Sequence, residues 1–205
     1  MTTAEAEKLS AEIFDKTSKR IGDFDEIPPS LILFRKKDVV GEAMKSGMRL
    51  PIYKWVQQFD KEPGEIIAGL QPKIYEEEEI IASFFLAEGW MLRGQLDPEN
   101  APSPEVQADV AKIMAGEMKP SDSEFKVEVL MGHFETRDGH CIHRYISIVR
   151  DPADETLRSA GESHVQTDMN AKGRTVGMFK KPKETCNCPG CTAKREAKKH
   201  KGEGV

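Results

Sequence analysis

FKVEVLMGHFETRDGHCIHRYISIVR, residues 125–150, is the stretch that decides the fold. Two runs rich in β-branched and aromatic residues, Phe125 to Thr136 and Cys141 to Arg150, flank the dipeptide Asp138-Gly139. That pattern predicts a β-hairpin, because Asp-Gly supplies at low cost the positive φ that a two-residue type I′ turn needs at both central positions. A two-residue loop also sets a register. It puts Arg137 opposite His140, Thr136 opposite Cys141, Phe134 opposite His143 and His133 opposite Arg144. On this reading Val127, Val129, Met131, Ile142, Ile146 and Ile148 form the core side, and Thr136, Phe134, Cys141, His143 and Tyr145 the other.

Working outward toward the N-terminus, Ile80 to Leu92 is the most apolar block of the chain, and its first half, Ile80 to Leu86, reads as a central strand. Glu88 stands inside this block between Leu86 and Trp90. It is either an acid with a raised pKa, suited to proton transfer, or a carboxylate that reaches water or an arginine. The four consecutive acids Glu76 to Glu79 ahead of it read as a solvated patch. Leu31 to Phe34 is a second buried strand, and Val39-Val40 begins another, whereas Gly41 to Asp60 has no periodicity that decides its structure. Thr2 and Glu5 have capping-box spacing before a helix over residues 4–20, Pro63 opens another that Pro72 should kink or stop, and Ser103-Pro104 opens a third. The apolar face of that third helix is Val106, Val110, Ile113 and Met114. Beyond the hairpin, Asp151 to Asn170 is polar and reads as loop or short helix, with one last strand from Arg174 to Phe179.

These elements predict an α+β fold: a mainly antiparallel sheet with the hairpin at its centre and helices on one side. Domain organisation follows composition, with one domain over residues 1–179 and a basic tail over 180–205. The tail holds eight Lys or Arg against three Glu, while the first 179 residues hold 22 basic against 32 acidic residues. A basic appendage on an acidic body suits contact with nucleic acid or an acidic protein surface. No apolar run is long enough to span a membrane, and Met1 to Lys8 lacks the basic and apolar regions of a leader, so the expected location is the cytoplasm.

In a reducing compartment clustered cysteines point to metal or redox chemistry rather than to disulfides. Three of the four cysteines, Cys186, Cys188 and Cys191, fall within six residues, and Pro189-Gly190 supplies the turn that lets the sulfurs converge. A zinc ion is the expected occupant, with iron–sulfur ligation less favoured. His200 is poorly placed as a fourth ligand, since the nine residues from Thr192 to His200 would rise about 13 Å as a helix. Cys141 and His143 are two apart on one strand, share a face, and are the better donors. The cluster resembles the zinc site that closes histone-methyltransferase SET domains, where a terminal triple-cysteine motif takes a further ligand from the body. The interval after the second cysteine is longer there, and no other SET signature occurs in this chain.

Lys194, Arg195, Lys198 and Lys199 form a basic stripe suited to phosphate contacts, with too little aromatic interleaving for base stacking. The leading expectation is therefore a non-enzymatic accessory protein whose zinc-clamped tail contacts nucleic acid or an acidic partner. Nucleophile elbow, phosphate loop, dinucleotide fingerprint and His-Glu-x-x-His patterns are absent from the sequence. The enzymatic alternative is a metal-dependent hydrolase using His133, Glu135, His140 and His143, with Glu88 as a further acid. A third reading is a structural subunit with contacts around Trp55 and Trp90.

Overall fold

A computed structural model describes residues 1–36, 39–40, 43–44, 47–93, 102–167 and 178–179. Its frame is a six-stranded, wholly antiparallel sheet in the order β4-β1-β5-β6-β7-β8. The strands are β1 (Ser30–Arg35), β4 (Met48–Leu50), β5 (Ile80–Leu92), β6 (Lys126–Thr136), β7 (Cys141–Arg150) and β8 (Arg158–Thr167). β2 (Val39–Val40) and β3 (Ala43–Met44) make a separate two-stranded ladder. Among the described residues the α-helices are α1 (Thr3–Ser18), α2 (Ile52–Phe59), α3 (Pro63–Glu76) and α4 (Pro104–Ala115). The chain is thus α+β, and none of its described helices is long and apolar enough to cross a membrane.

β1 and β5 are continuous apolar runs because both of their faces are covered. On one face, Ile32, Phe34, Ala82, Phe84, Leu86, Leu130, Phe134 and Ile142 pack beneath Ala6 and Phe14 of α1. Phe84 and Phe134 meet edge to face with centroids 5.7 Å apart. Gly132 lets α1 sit close, since a Cβ there would lie 2.7 Å from both Phe14 and Phe84. On the opposite face, Leu31, Leu33, Phe85 and Ala87 pack against Ile52 of α2 and Ile67 and Ile74 of α3. Helices therefore cover both faces, where the sequence predicts one. A strand buried on both sides needs two covering layers, so the unbroken apolar runs themselves called for this.

Several expectations are met locally. The Thr2 hydroxyl accepts from the Glu5 N–H while the Glu5 carboxylate accepts from the Thr2 N–H, completing the capping box of α1. The Ser103 hydroxyl caps α4, whose end is a left-handed Gly116. Others need correction. Met114 of α4 is 83% exposed and belongs to no core. Pro72 does not stop α3, which runs on to Glu76. β5 continues through Glu88 to Leu92. The polar stretch after Asp151 contains the ten-residue strand β8, which carries almost no apolar residues because it is an edge strand with little to bury. Met178 and Phe179 form a turn, and the rest of the strand expected from Arg174 lies outside the described residues.

The largest correction concerns the hairpin loop. Positive φ occurs at Gly139 (92°) and not at Asp138, which excludes a type I′ turn. Instead the Gly139 N–H donates to the Thr136 carbonyl, and the Thr136 N–H donates to the His140 carbonyl. This is a three-residue loop, a tight turn followed by a left-handed glycine at a bulge. Asp-Gly suits either loop, so the dipeptide alone leaves the register open by one. Adding one loop residue re-pairs the strands: His133 faces His143, Phe134 faces Ile142 and Glu135 faces Cys141. The sides change with it. Ile142, Ile146 and Ile148 lie with Leu130 and Phe134 under α1, whereas Met131 packs in the opposite core.

Candidate metal centre

The corrected register assembles a site. His133 on β6 and Cys141 and His143 on β7 share the sheet face opposite α1, with His133 and His143 cross-strand partners. Each of the three offers one ligand atom, and those atoms all lie within 4.8 Å of one another. The His133 and His143 Nδ1 atoms are 3.2 Å apart. Cys141 Sγ is 3.8 Å from His133 Nδ1 and 3.5 Å from His143 Nε2. Tetrahedral zinc, with bonds of about 2.0–2.1 Å to nitrogen and 2.3 Å to sulfur, holds its ligand atoms roughly 3.3–3.6 Å apart. Taken one atom per residue, the three lie within 4.8 Å, so small side-chain rotations would bring two imidazoles and a thiol to that spacing, and the cluster could hold a metal ion. His133 and Cys141 are each 5% exposed, so the site has the dry surroundings in which a thiolate needs a cation.

Neighbouring groups fix these side chains. Tyr145 stacks on the His143 ring at 6.2 Å with the planes 1° apart. Burial pushes the Tyr145 hydroxyl above its ordinary pKa, with the nearby Cys141 adding to the shift. Glu135 Oε2 lies 3.7 Å from His133 Nε2 and accepts a hydrogen bond from the Met178 N–H at 2.9 Å. A carboxylate beside an imidazole can orient the ring. Gln71 of α3 donates to the Met178 carbonyl, so the Met178-Phe179 turn is clasped between α3 and β6 beside the cluster. Arg137 secures the same corner: its guanidinium donates to the carbonyls of Ile74, Tyr75, Glu77 and Ile80 and lies 4.9 Å from the Phe179 ring centre. A cation on the last carbonyls of α3 satisfies groups that the helix itself leaves open.

Of the residues singled out in the sequence, Cys141 and His143 are brought together, and His133, which a two-residue loop would turn toward Arg144, joins them as a further candidate ligand. Its signal was available in the apolar residues of β6. Leu130 and Phe134 need burial as much as Val129 and Met131, and only the loop length decides which set lies with Ile142. His140 stands apart at the loop, with Nδ1 3.3 Å from the Thr3 hydroxyl. Glu88 lies across the sheet under the α1 layer, paired with Arg158 at 2.6 Å. Neither contributes to the cluster. Trp55 packs against the α2–α3 core, and Trp90 is 40% exposed with the Lys126 ammonium 5.3 Å from its ring centre. Cys186, Cys188, Cys191, Lys194, Arg195, Lys198 and Lys199 lie outside the described residues. No protein-family model, curated protein or solved structure matches the chain.

Proposed function

We propose that this is a zinc-binding accessory protein in which His133, Cys141 and His143 hold the metal and the cysteine cluster of the tail supplies the remaining ligand. The observation that carries the reading is the convergence of three ligand atoms within 4.8 Å, on two buried residues and the half-buried His143. Reach supports the fourth ligand. Met178 is hydrogen-bonded to Glu135, two residues from His133, and the seven residue-to-residue steps from Phe179 to Cys186 span up to about 25 Å when extended. A closed four-coordinate centre is structural, and here it would hold the basic tail against the sheet with Lys194, Arg195, Lys198 and Lys199 beyond it. That places a phosphate-binding or acid-binding stripe on an otherwise acidic protein.

Glu135 favours a second reading. A carboxylate next to a three-ligand metal with an open position is the arrangement of a metal-dependent hydrolase. Its hydrogen bond to Met178 N–H argues for a positioning role instead.

Elemental analysis of the purified full-length chain tests the proposal. The expected result is about one zinc per chain, lost in a His133→Ala, His143→Ala variant. Cobalt substitution then counts thiolates, because sulfur-to-cobalt charge-transfer absorption should weaken in Cys141→Ser and again in Cys186→Ser, Cys188→Ser. Retention of metal in the double-histidine variant removes the hairpin site. Full absorption in the tail variant with loss in Cys141→Ser would leave an open position and favour the hydrolase. For the partner, binding to duplex DNA should weaken steeply with salt and vanish when the chain ends at Pro182.

A further inference from the structure

At the end of the sheet away from the hairpin loop, a cleft of about 860 Å³ lies between the segment joining α1 to β1, the start of β1 and the β4–α2 corner. That volume is within the range of sites for small organic ligands. It shares no residue with the metal cluster. Phe24, Ile27, Tyr53 and Val56 give it apolar walls, and Arg20 and Arg49 outnumber its one acid, Glu26. Its outline is fixed without any ligand. Pro28, Pro29, Pro51 and Pro63 stiffen the rim, and the Tyr53 N–H donates to the Pro29 carbonyl. Arg158 donates to the carbonyls of Phe24 and Asp25, while Glu88 accepts from the Ile27 N–H.

One atom in this wall is left over. Ser30 is 4% exposed, and its hydroxyl is buried with no hydrogen-bond partner among the described residues. A buried hydroxyl without a partner is destabilising and is rare in a folded protein, and it calls for an explanation. Ser30 is one of the residues lining this cleft, which carries two arginines against one acid.

We propose that the cleft binds a small organic anion, a carboxylate or phosphate monoester carried on a ring or short apolar chain. Arg20 and Arg49 take the anionic group, the Ser30 hydroxyl donates to it, and Phe24, Tyr53 and Val56 cover the apolar part. Arginine suits both head groups, since its planar fork pairs with two oxygens at once. The stacking of the Arg20 guanidinium 4.5 Å over the Phe24 ring keeps that cation oriented while leaving it charged.

Heteronuclear NMR titration of the full-length protein with phenyl phosphate, phenylacetate and the neutral phenylacetamide tests this. A fragment of about ten heavy atoms should saturate the cleft with a roughly millimolar Kd. At least one anion is expected to do so, with phenylacetamide about tenfold weaker or more. The preferred anion distinguishes a carboxylate ligand from a phosphate ester. Arg49→Gln should lower affinity about tenfold or more, and Ser30→Ala several-fold, while Lys8→Gln, elsewhere on α1, changes nothing. Ser30→Ala should not lower the urea midpoint, because the hydroxyl has no protein bond to lose. The proposal is overturned if neither anion saturates by about 10 mM, if the amide binds equally well, if both cleft variants keep wild-type affinity, or if Ser30→Ala destabilises the free protein.

Discussion

Glu88 and Arg158 form an ion pair taken almost wholly out of water, with side chains 5% and 1% exposed and 2.6 Å between oxygen and nitrogen. Such a pair contributes little net stability over an apolar replacement, because desolvation offsets most of the attraction. Its effect is positional: both side chains bond to the backbone of residues 24–27 and hold that segment to the sheet. Removing one partner is costly, because the other buried charge loses its close counter-ion, with Arg158 keeping only the more distant Glu128 at 3.9 Å. Glu88→Ala should therefore destabilise by about 3–5 kcal/mol, and Glu88→Leu combined with Arg158→Met by clearly less than the single variants. Urea unfolding of the three proteins checks this, and equal losses for the single and double variants would refute it. The sequence shows that Glu88 is embedded among apolar residues and offers two readings of it. It hides the partner, because Arg158 lies 70 residues on, in a stretch whose polarity reads as loop.

Element by element, the long apolar strands, the capped helices and the existence of the hairpin are all legible, since each leaves a local pattern. Edge strands and loop lengths are not. β8 has no hydrophobic signature because an outermost strand is specified by its neighbour's backbone rather than by burial of its own side chains. The hairpin loop is illegible for a different reason, namely that Asp138-Gly139 fits both a two- and a three-residue loop, and the choice between them decides whether His133 meets His143. Gly139 is the residue on which the observed loop depends, with φ at 92°. Gly139→Val should cost about 1–2 kcal/mol from the left-handed backbone alone, and Gly139→Asn less. Because strain there favours a slipped register, the valine variant should also lose zinc affinity, a readout that stability loss alone would not move. An unfolding midpoint and metal content both equal to wild type would contradict the loop assignment.

For the molecule as a whole, the two packed cores, one on each face of the sheet, are built, among the described residues, from residues before 168 together with Met178 and Phe179. The candidate ligands sit on the outer part of the face that α2 and α3 cover, next to the turn that leads toward the basic tail. From this placement follows a prediction about coupling. With metal chelated away, the full chain and a chain ending at Pro182 should unfold at the same urea concentration. With zinc present at about a hundredfold over its Kd, binding to the folded state alone would add about 2.7 kcal/mol to the full chain. Any zinc taken up by cysteines of the unfolded chain would bring the measured gain below that figure. The shortened chain lacks the proposed fourth ligand and should gain less still, while Cys141→Ser in the full chain should lose most of the gain. If the shortened chain gains as much as the full one, the hairpin holds the metal without the tail. The site would then keep a position open to water, and hydrolytic activity would become the next measurement.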